Sequence, residues 1–401
     1  MPRPLILFGA FDRHNFGDLL LAEVAAALNP GRALIHAGLA ARDLRAQGGQ
    51  AVQALSAVLD GAPAAAHDLL HVGGETLTTT AWEAAVMLQP PPQAPALVAY
   101  LQDRPSERAA WLRQTLGTQE AVPYLADRRR WPALRRVAAW GLGGVALPQA
   151  PAAVRAEVQA KLGALDAVAV RDGLTQAALQ EAGLAAALLP DPAVLVPALF
   201  GQRLQAHAAR GEVAALRTQW PAGYLAVQCG AEFGDDATLA ALARQLTLAL
   251  QGTGLGVALF RAGAAPWHDS LPLLHRLAQR LPAGRVRVFG SLHLWDIAAL
   301  LAASAGCVAS SLHARIVAAA CGLPAVSLRS PQAGAQRDKT WAWVQSWQAD
   351  EPGSVCGADG VAAALRQALA LPARQRQAQA ARLAQQCRLG YAAIQAALDA
   401  A

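Results

Sequence analysis

Short apolar runs that stop at glycine or a small polar residue recur along this chain, each followed by a helical pattern. Residues 5–8 stop at Gly9, 67–72 at Gly73-Gly74-Glu75-Thr76, and 137–142 at Gly143-Gly144. This alternation predicts βαβ units built on parallel sheets, with the loops at the strand carboxyl ends as the natural ligand edge. The same grammar restarts near residue 223, after prolines at 190, 192 and 197. Two α/β domains facing one cleft are therefore expected, over 1–200 and 201–375, with 376–401 as a helix packing back across them. At 401 residues the chain is long for one core and comfortable for two.

A content of 54% hydrophobic and 15% charged residues fits a well-buried globular protein. No run approaches the roughly eighteen apolar residues that span a bilayer. The opening LILFGAF leads straight into polar DRHNFGD, so it reads as a first buried strand rather than a leader. The five cysteines are scattered and lack CxxC spacing, which fits a reducing cytoplasm and argues against a structural zinc site. The net charge of +6 comes from 34 basic and 28 acidic residues, and the one dense basic run is DRRRWPALRR at 127–136. Nucleic-acid binding would need positives interleaved with aromatics across a surface, so none is expected. The run reads either as a solvated helix edge or, through Arg128, Arg129 and Arg130, as a foothold for an anionic membrane or a diphosphate-bearing acceptor.

In the first half, the loop AFDRHNFGD precedes a helix expected from near Asp18 to Asn29. It is not GxGxxG, so the dinucleotide fingerprint is absent. Asn15, Gly17 and Asp18 fit a helix cap, for which Asp18 is well placed, and equally a ligand contact. A strand is expected at 33–36, a helix at 51–59 and a proline-rich loop at 89–95. The glycines after the third and fourth runs, Gly73, Gly74 and Gly143, permit close backbone approach, with Glu75 or Thr76 facing the ligand. A strand at 168–170 puts Arg171 and Asp172 at its end. Arg171 reads either as a surface ion pair of little value or as a bidentate grip on a phosphate or carboxylate.

In the second half, strands are expected at 223–230, 256–263 and 285–289. The loop APWHDS places His268 and Asp269 as a second catalytic pair or as a capped helix beside a surface histidine. The strongest local signal is SSLHARIVAAACGLP, 310–324, where a short strand at 306–309 runs into a helix opening with Ser310, Ser311, Leu312 and His313. First-turn N–H groups, hydroxyls and the positive helix end suit an anion, and His313 could move a proton. The plain alternative is a serine cap beside a packed histidine. A strand at 325–328, a loop from 329 and a Trp-rich helix follow.

These stretches carry a resemblance. FGAFDRHNFGDLLLAEVAAAL looks like the G-x-x-N-x-G-D opening of the polysaccharide pyruvyl transferase family, with a longer gap between Gly9 and Asn15. HVGGETL and AAWGLGG resemble its glycine-rich elements, and VAVRDGLTQAALQEAGLAAALLPDPAVL its R-D-x-x-S helix and D-P strand end. SSLHARIVAAACGLP is similar to its S-L-H-x-x-x-x-A-x-x-x-G-x-P signature. The order matches the family's as far as Arg329. Ser311 stands where Arg is common, Thr175 where Ser is usual, and HVGG has one glycine fewer.

The resemblance implies a GT-B-like pair of Rossmann-like domains that moves a pyruvyl group from phosphoenolpyruvate to a sugar of a cell-surface polysaccharide or its precursor, as a ketal. It implies a glycan or lipid-linked saccharide acceptor on the N-terminal domain, the donor on the C-terminal one, and no cofactor or metal. A cytoplasmic location follows, with peripheral contact at the inner membrane face; no oligomeric state follows. His313, Asp18 and Arg171 are the implied catalytic residues. Ser310, Ser311 and Leu312 would hold the donor anion, which Arg171, beside Asp172, would also reach. Asn15, Gly17, Gly73, Gly74, Glu75 and Gly143 would line the acceptor side, and His268 a further edge of the site. A nucleotide-sugar glycosyltransferase of the same architecture and a non-catalytic member are the alternatives.

Overall fold

Strands buried on both faces carry continuous apolar sequence rather than alternation, and LILF and YLAVQ are buried along their whole length. The structure, a computed structural model, describes residues 3–61, 65–331, 338–351 and 354–400. The chain divides into two units. Unit 1 comprises Met1–Pro192, Ala265–Trp267 and Arg388–Ala401; unit 2 comprises Ala193–Ala264 and His268–Cys387. Among the described residues no helix is long and apolar enough to cross a membrane.

Unit 1 is built on eight strands: β1 (Leu5–Phe8), β2 (Leu34–Gly38), β3 (Arg42–Asp43), β4 (Ala51–Ala54), β5 (His67–Gly74), β6 (Leu134–Leu142), β7 (Ala167–Val170) and β8 (Ala187–Leu188). Their order is β3-β4-β2-β1-β5-β6-β7-β8, all parallel except the β3–β4 pair. The chain winds outward from β1 in one direction and from β5 in the other, so the crevice between their carboxyl ends is the switch point where ligands gather in such sheets.

Three expectations fail here. Residues 51–54 are strand, with Gln53 and Ala54 paired to Ala37 and Gly38 and Ala51 and Val52 to β3, and the helix is confined to Leu55–Gly61. The sequence AVQA favours neither state, and sheet pairing decides it. The loop at 89–95 gives way to a helix at Ala94–Leu101, where Pro95 occupies the first turn and its missing N–H costs nothing. The first helix runs Phe16–Ala27 and is capped by Asn15, not Asp18.

Unit 2 has six parallel strands: β9 (Tyr224–Gln228), β10 (Gly256–Leu259), β11 (Val286–Val288), β12 (Gly306–Ala309), β13 (Ala325–Leu328) and β14 (Val355–Cys356). Their order is β11-β10-β9-β12-β13-β14, which puts the switch point between β9 and β12. Leucines of helix Asp236–Leu250 and helix Leu271–Ala278 form the core with Leu225, Val227, Val257 and Val308. Most of the loop expected from residue 329, positions 332–337, lies outside the described residues. The last helix, Ala373–Asp399, anchors within unit 2 by Arg376 Nε to the Gly322 carbonyl at 2.9 Å. Within unit 1 it anchors by Tyr391, whose hydroxyl accepts from Asn29 Nδ2 at 2.6 Å.

Candidate active site

At the switch point of unit 1, the loop after β1 is held by buried charges. Asp12 is fully buried; its Oδ2 accepts from the N–H groups of Leu39 (2.7 Å) and Ala40 (3.1 Å), and its Oδ1 from the Tyr124 hydroxyl at 2.7 Å. Burial pushes its carboxyl up, against the pull of the Arg13 guanidinium. Arg13 donates to Tyr124 at 2.7 Å and pairs with Asp18 at 3.5 Å. Asn15 Oδ1 accepts from Gly17 N at 2.9 Å and Asp18 N at 3.2 Å, which fixes the helix start. Asp18 then points at β5, where a Cβ on Gly74 would sit 3.2 Å from its Oδ1. Gly73 adopts φ 57°, and a Cβ there would lie 2.4 Å from Leu21, so only glycine fits.

Two strands along, Arg171 leaves β7 and is 1% exposed. Its Nη2 donates to Glu75 Oε2 at 2.6 Å and its Nη1 to Asp191 Oδ2 at 3.3 Å. Burial works against its charge, but Glu75 and Asp191 outweigh burial and keep it ionised. Glu75 Oε1 also accepts from Val145 N at 3.0 Å. Gly143 is the floor beneath this pair: a Cβ there would come within 2.4 Å of Glu75 and 2.7 Å of Arg171. Arg171 is thus a buried clamp on two carboxylates. Asp172, which burial pushes up, caps helix Gly173–Glu181 by accepting from the N–H and hydroxyl of Thr175.

At the switch point of unit 2 the directly bonded groups are an amide and two hydroxyls, with the Glu232 carboxylate beside Gly230. Gln228 ends β9; its Oε1 accepts from Ser311 N at 2.8 Å and from the Ser310 hydroxyl at 3.3 Å. Ser310 Oγ accepts in turn from Gly230 N at 3.0 Å. Ser311 caps helix Leu312–Ala320 through Ala314 N, with Leu312 and His313 buried in its first turn. On its other side, Gln228 Nε2 donates to Asp269 Oδ1 at 2.7 Å, while Asp269 Oδ2 accepts from Ala262 and Gly263 N–H groups. Burial pushes the Asp269 carboxyl up to about 7 despite these donors. His268 packs its ring on Gly263, and its carbonyl accepts from Ala231 N at 3.2 Å. Arg315 faces away, its guanidinium fully buried against Gln348, Ser327 and the carbonyls of Ala325 and Ser354.

The expected site residues therefore fall into two sets. Asn15, Gly17, Asp18, Gly73, Gly74, Glu75, Gly143, Arg171 and Asp172 collect at the ends of β1, β5, β6 and β7 in unit 1. Ser310, Ser311, Leu312 and His313 collect at the end of β12 in unit 2, with His268 after β10. Sequence reasoning missed their partners: Asp12, Arg13, Tyr124 and Gln228. The signal was present in two of these places, an Asp-Arg pair in the loop after a buried strand and a glutamine ending an apolar one. The basic run is largely neutralised, with Arg128 and Arg136 on Asp166 and Arg129 on Asp127.

Among the described residues, His207, His293 and Asp296 bring three metal-ligating atoms within 4.8 Å of one another. His207 Nδ1 lies 2.6 Å from Asp296 Oδ1, and its Nε2 lies 2.9 Å from Arg210 Nη2. A guanidinium held against the imidazole opposes a cation, so the group reads as a hydrogen-bonded link between two helices.

Residues 124–330 match the family model described as polysaccharide pyruvyl transferase. That span contains Arg171, Asp172, His268 and the Ser310–His313 turn. No curated protein sequence matches the chain. Among solved structures, it is similar to an α,α-trehalose 6-phosphate synthase from Burkholderia multivorans at 14% identity, over 99% of this chain and 98% of that one, with a TM-score of 0.50. It is also similar to Anabaena HepE in complex with UDP and glucose at 14% identity, over 98% of this chain and all of that one, with a TM-score of 0.52. At such identities the likeness is one of fold: an α/β protein of the GT-B class with two mostly parallel sheets.

Proposed function

Because the chain belongs to the polysaccharide pyruvyl transferase family, we propose that it transfers a pyruvyl group from phosphoenolpyruvate to two hydroxyls of a polysaccharide sugar or its lipid-linked precursor. The observation that carries this reading is the helix opening with Ser311, Leu312 and His313, which starts at the switch point of unit 2 inside the matched span. Its first turn offers N–H groups and a positive dipole end to the donor's phosphate or carboxylate.

The reaction needs three events. A proton reaches the methylene carbon of phosphoenolpyruvate, and positive charge develops at C2. One sugar hydroxyl adds there and loses its proton. The C2–O bond to phosphate then breaks, and a second hydroxyl adds to close the ketal, its proton leaving with inorganic phosphate. The two hydroxyl protons supply one to the methyl group and one to phosphate, so the sum balances without an oxidant or a cofactor. We assign His313 to the donor as proton carrier or phosphate contact, and Asp18 to the acceptor as base. Arg171 acts through Glu75, which it orients. The donor is a cytoplasmic metabolite, so the reaction is placed in the cytoplasm, with a lipid-linked acceptor at the inner face of the membrane.

The test combines calorimetric titration of phosphoenolpyruvate with phosphate release in the presence of glycan acceptors. His313→Ala is expected to lower turnover by about 10²–10⁴. Full turnover by that variant would refute its central role. Thermal stabilisation by UDP-sugars but not by phosphoenolpyruvate would turn the assignment to a nucleotide-sugar glycosyltransferase.

A further inference from the structure

Three tryptophans of unit 1 converge at one place that the reaction chemistry does not use. Trp82 opens helix Ala81–Met87, Trp111 lies on helix Pro105–Leu116, and Trp267 ends the short Ala265–Trp267 segment. The Trp82 and Trp111 rings meet edge to face, with centroids 5.7 Å apart, and Trp82 and Trp267 are tilted at 6.3 Å. The Arg108 guanidinium stands 5.5 Å over the Trp82 ring.

Trp267 is the odd member. Its φ of 64° makes it the only non-glycine among the described residues in the left-handed region, and it is 51% exposed. Proline followed by positive φ is the pattern of a type II turn, in which glycine or asparagine is favoured at this place. Neither backbone preference nor burial explains an indole here. Strained, exposed aromatic residues persist where a ligand uses them.

The cluster is also joined to the acceptor-side residues of the same unit. Ala265 N donates to the His14 carbonyl at 3.3 Å, next to the Asn15 cap. Glu75 and Trp82 stand on one short connection, fixed by the Thr79 hydroxyl on the Glu75 carbonyl at 2.8 Å and by the Thr80–Glu83 capping box.

We propose that Trp267, backed by Trp82 and Trp111, is a stacking platform for a pyranose ring of the acceptor glycan, with Arg108 favouring chains that carry carboxylate or phosphate. The C–H face of a pyranose lies flat on an indole, and the indole N–H can donate to a ring hydroxyl. Tryptophans beside basic side chains also suit a membrane interface, which binding to vesicles separates from glycan binding. Trp267 meets the Trp82 indole, which carries Trp111 at its edge and Arg108 over its ring. The inference rests on reading unit 1 as the acceptor side.

The experiment uses the full chain on an array of neutral and acidic bacterial polysaccharides, with anionic phospholipid vesicles and phosphoenolpyruvate titration in parallel. Wild type is expected to be retained by acidic polysaccharides. Trp267→Gly should weaken retention by about tenfold or more, and Trp267→Tyr should recover part of it. Because glycine is relaxed at this φ, Trp267→Gly should keep or raise the melting temperature, which loss of a structural tryptophan would not do. Phosphoenolpyruvate binding by Trp267→Gly should stay within about twofold of wild type, because the change lies outside the donor helix. Retention of wild type by no polysaccharide, equal retention of Trp267→Gly, or a loss confined to vesicles would each overturn the proposal. If wild type fails to bind phosphoenolpyruvate yet shows Trp267-dependent glycan retention, the donor assignment falls and the platform stands.

Discussion

Between β1 and β5 of unit 1 the buried side chains are ions: Asp12, Arg13 and Asp18, with Arg171 and Asp191 a short way along the sheet edge. Between β9 and β12 of unit 2 they are an amide and two hydroxyls, and the nearest buried carboxyl, Asp269, is pushed up to about 7. The same topological position thus carries different electrostatics. Ions buried in unit 1 must be partnered, so its loops are fixed before any ligand arrives. In unit 2, although the Glu232 carboxylate lies beside Gly230, Ser310 and Ser311 bond an amide and a backbone N–H rather than an ionised carboxylate. That is the environment an anionic donor requires, and the contrast supports giving donor and acceptor to different units.

The comparison breaks most readily at Arg171. Replacing it with Met leaves Asp191, wholly buried, without its cation, and Glu75 without its clamp. Unit 1 is expected to lose about 3–5 kcal/mol in denaturant unfolding. Adding Asp191→Asn should recover part of that loss. A neutral Arg171→Met would mean that these ions behave as a surface pair and that the edge is not rigid.

Asp269 sharpens the other half. Its folded carboxyl sits at about 7, against an ordinary 3.8. The folded state therefore holds the proton more tightly, and stability from this group falls as pH rises from about 4 to 7, then levels. That interval bounds the effect at about 4 kcal/mol. The stability difference between wild type and Asp269→Asn should decline over the same window, and a pH-independent difference would show that Asp269 stays ionised when folded. Donor affinity should likewise weaken above pH 7, as the ionised carboxylate repels phosphoenolpyruvate through Gln228. Next in size is Gln228→Leu, which strands Ser311 N and one Asp269 oxygen at an expected cost of about 1–3 kcal/mol. A stability within about 0.5 kcal/mol of wild type would mean that water replaces the amide.

Much of this contrast was legible in the sequence, and its partners were not. Buried parallel strands announce themselves as unbroken apolar runs, and the strand expected at 168–170 is found at Ala167–Val170. The glycines at the end of β5 and after β6, Arg171 after β7 and the serines after β12 were all expected at strand ends. Residues 51–54 misled because AVQA has no period of its own and takes its state from β2 and β3. The roles of Arg171 and Asp18 depend on residues far along the chain: Asp191 and Glu75 for one, Arg13 held by Tyr124 for the other. Spacing cannot report such pairings. The positive φ of Trp267 is equally silent, since only Pro266 hints at a turn there.

Ser311 carries the smallest stability effect and the finest distinction. It stands where the family commonly has arginine, and it does two jobs at once: its Oγ caps helix Leu312–Ala320 and its N–H holds Gln228. Ser311→Ala should cost about 1 kcal/mol, the value of a lost cap. Ser311→Asp should restore it, since aspartate caps as well as serine and suits the positive helix end. The same aspartate puts a negative charge at the first turn that we assign to the donor. Phosphoenolpyruvate binding should therefore drop sharply in Ser311→Asp while its melting temperature holds, whereas Ser311→Ala should show the reverse balance. If both variants bind phosphoenolpyruvate like wild type, the switch point of unit 2 is not the anion site, and the contrast between the units concerns folding alone.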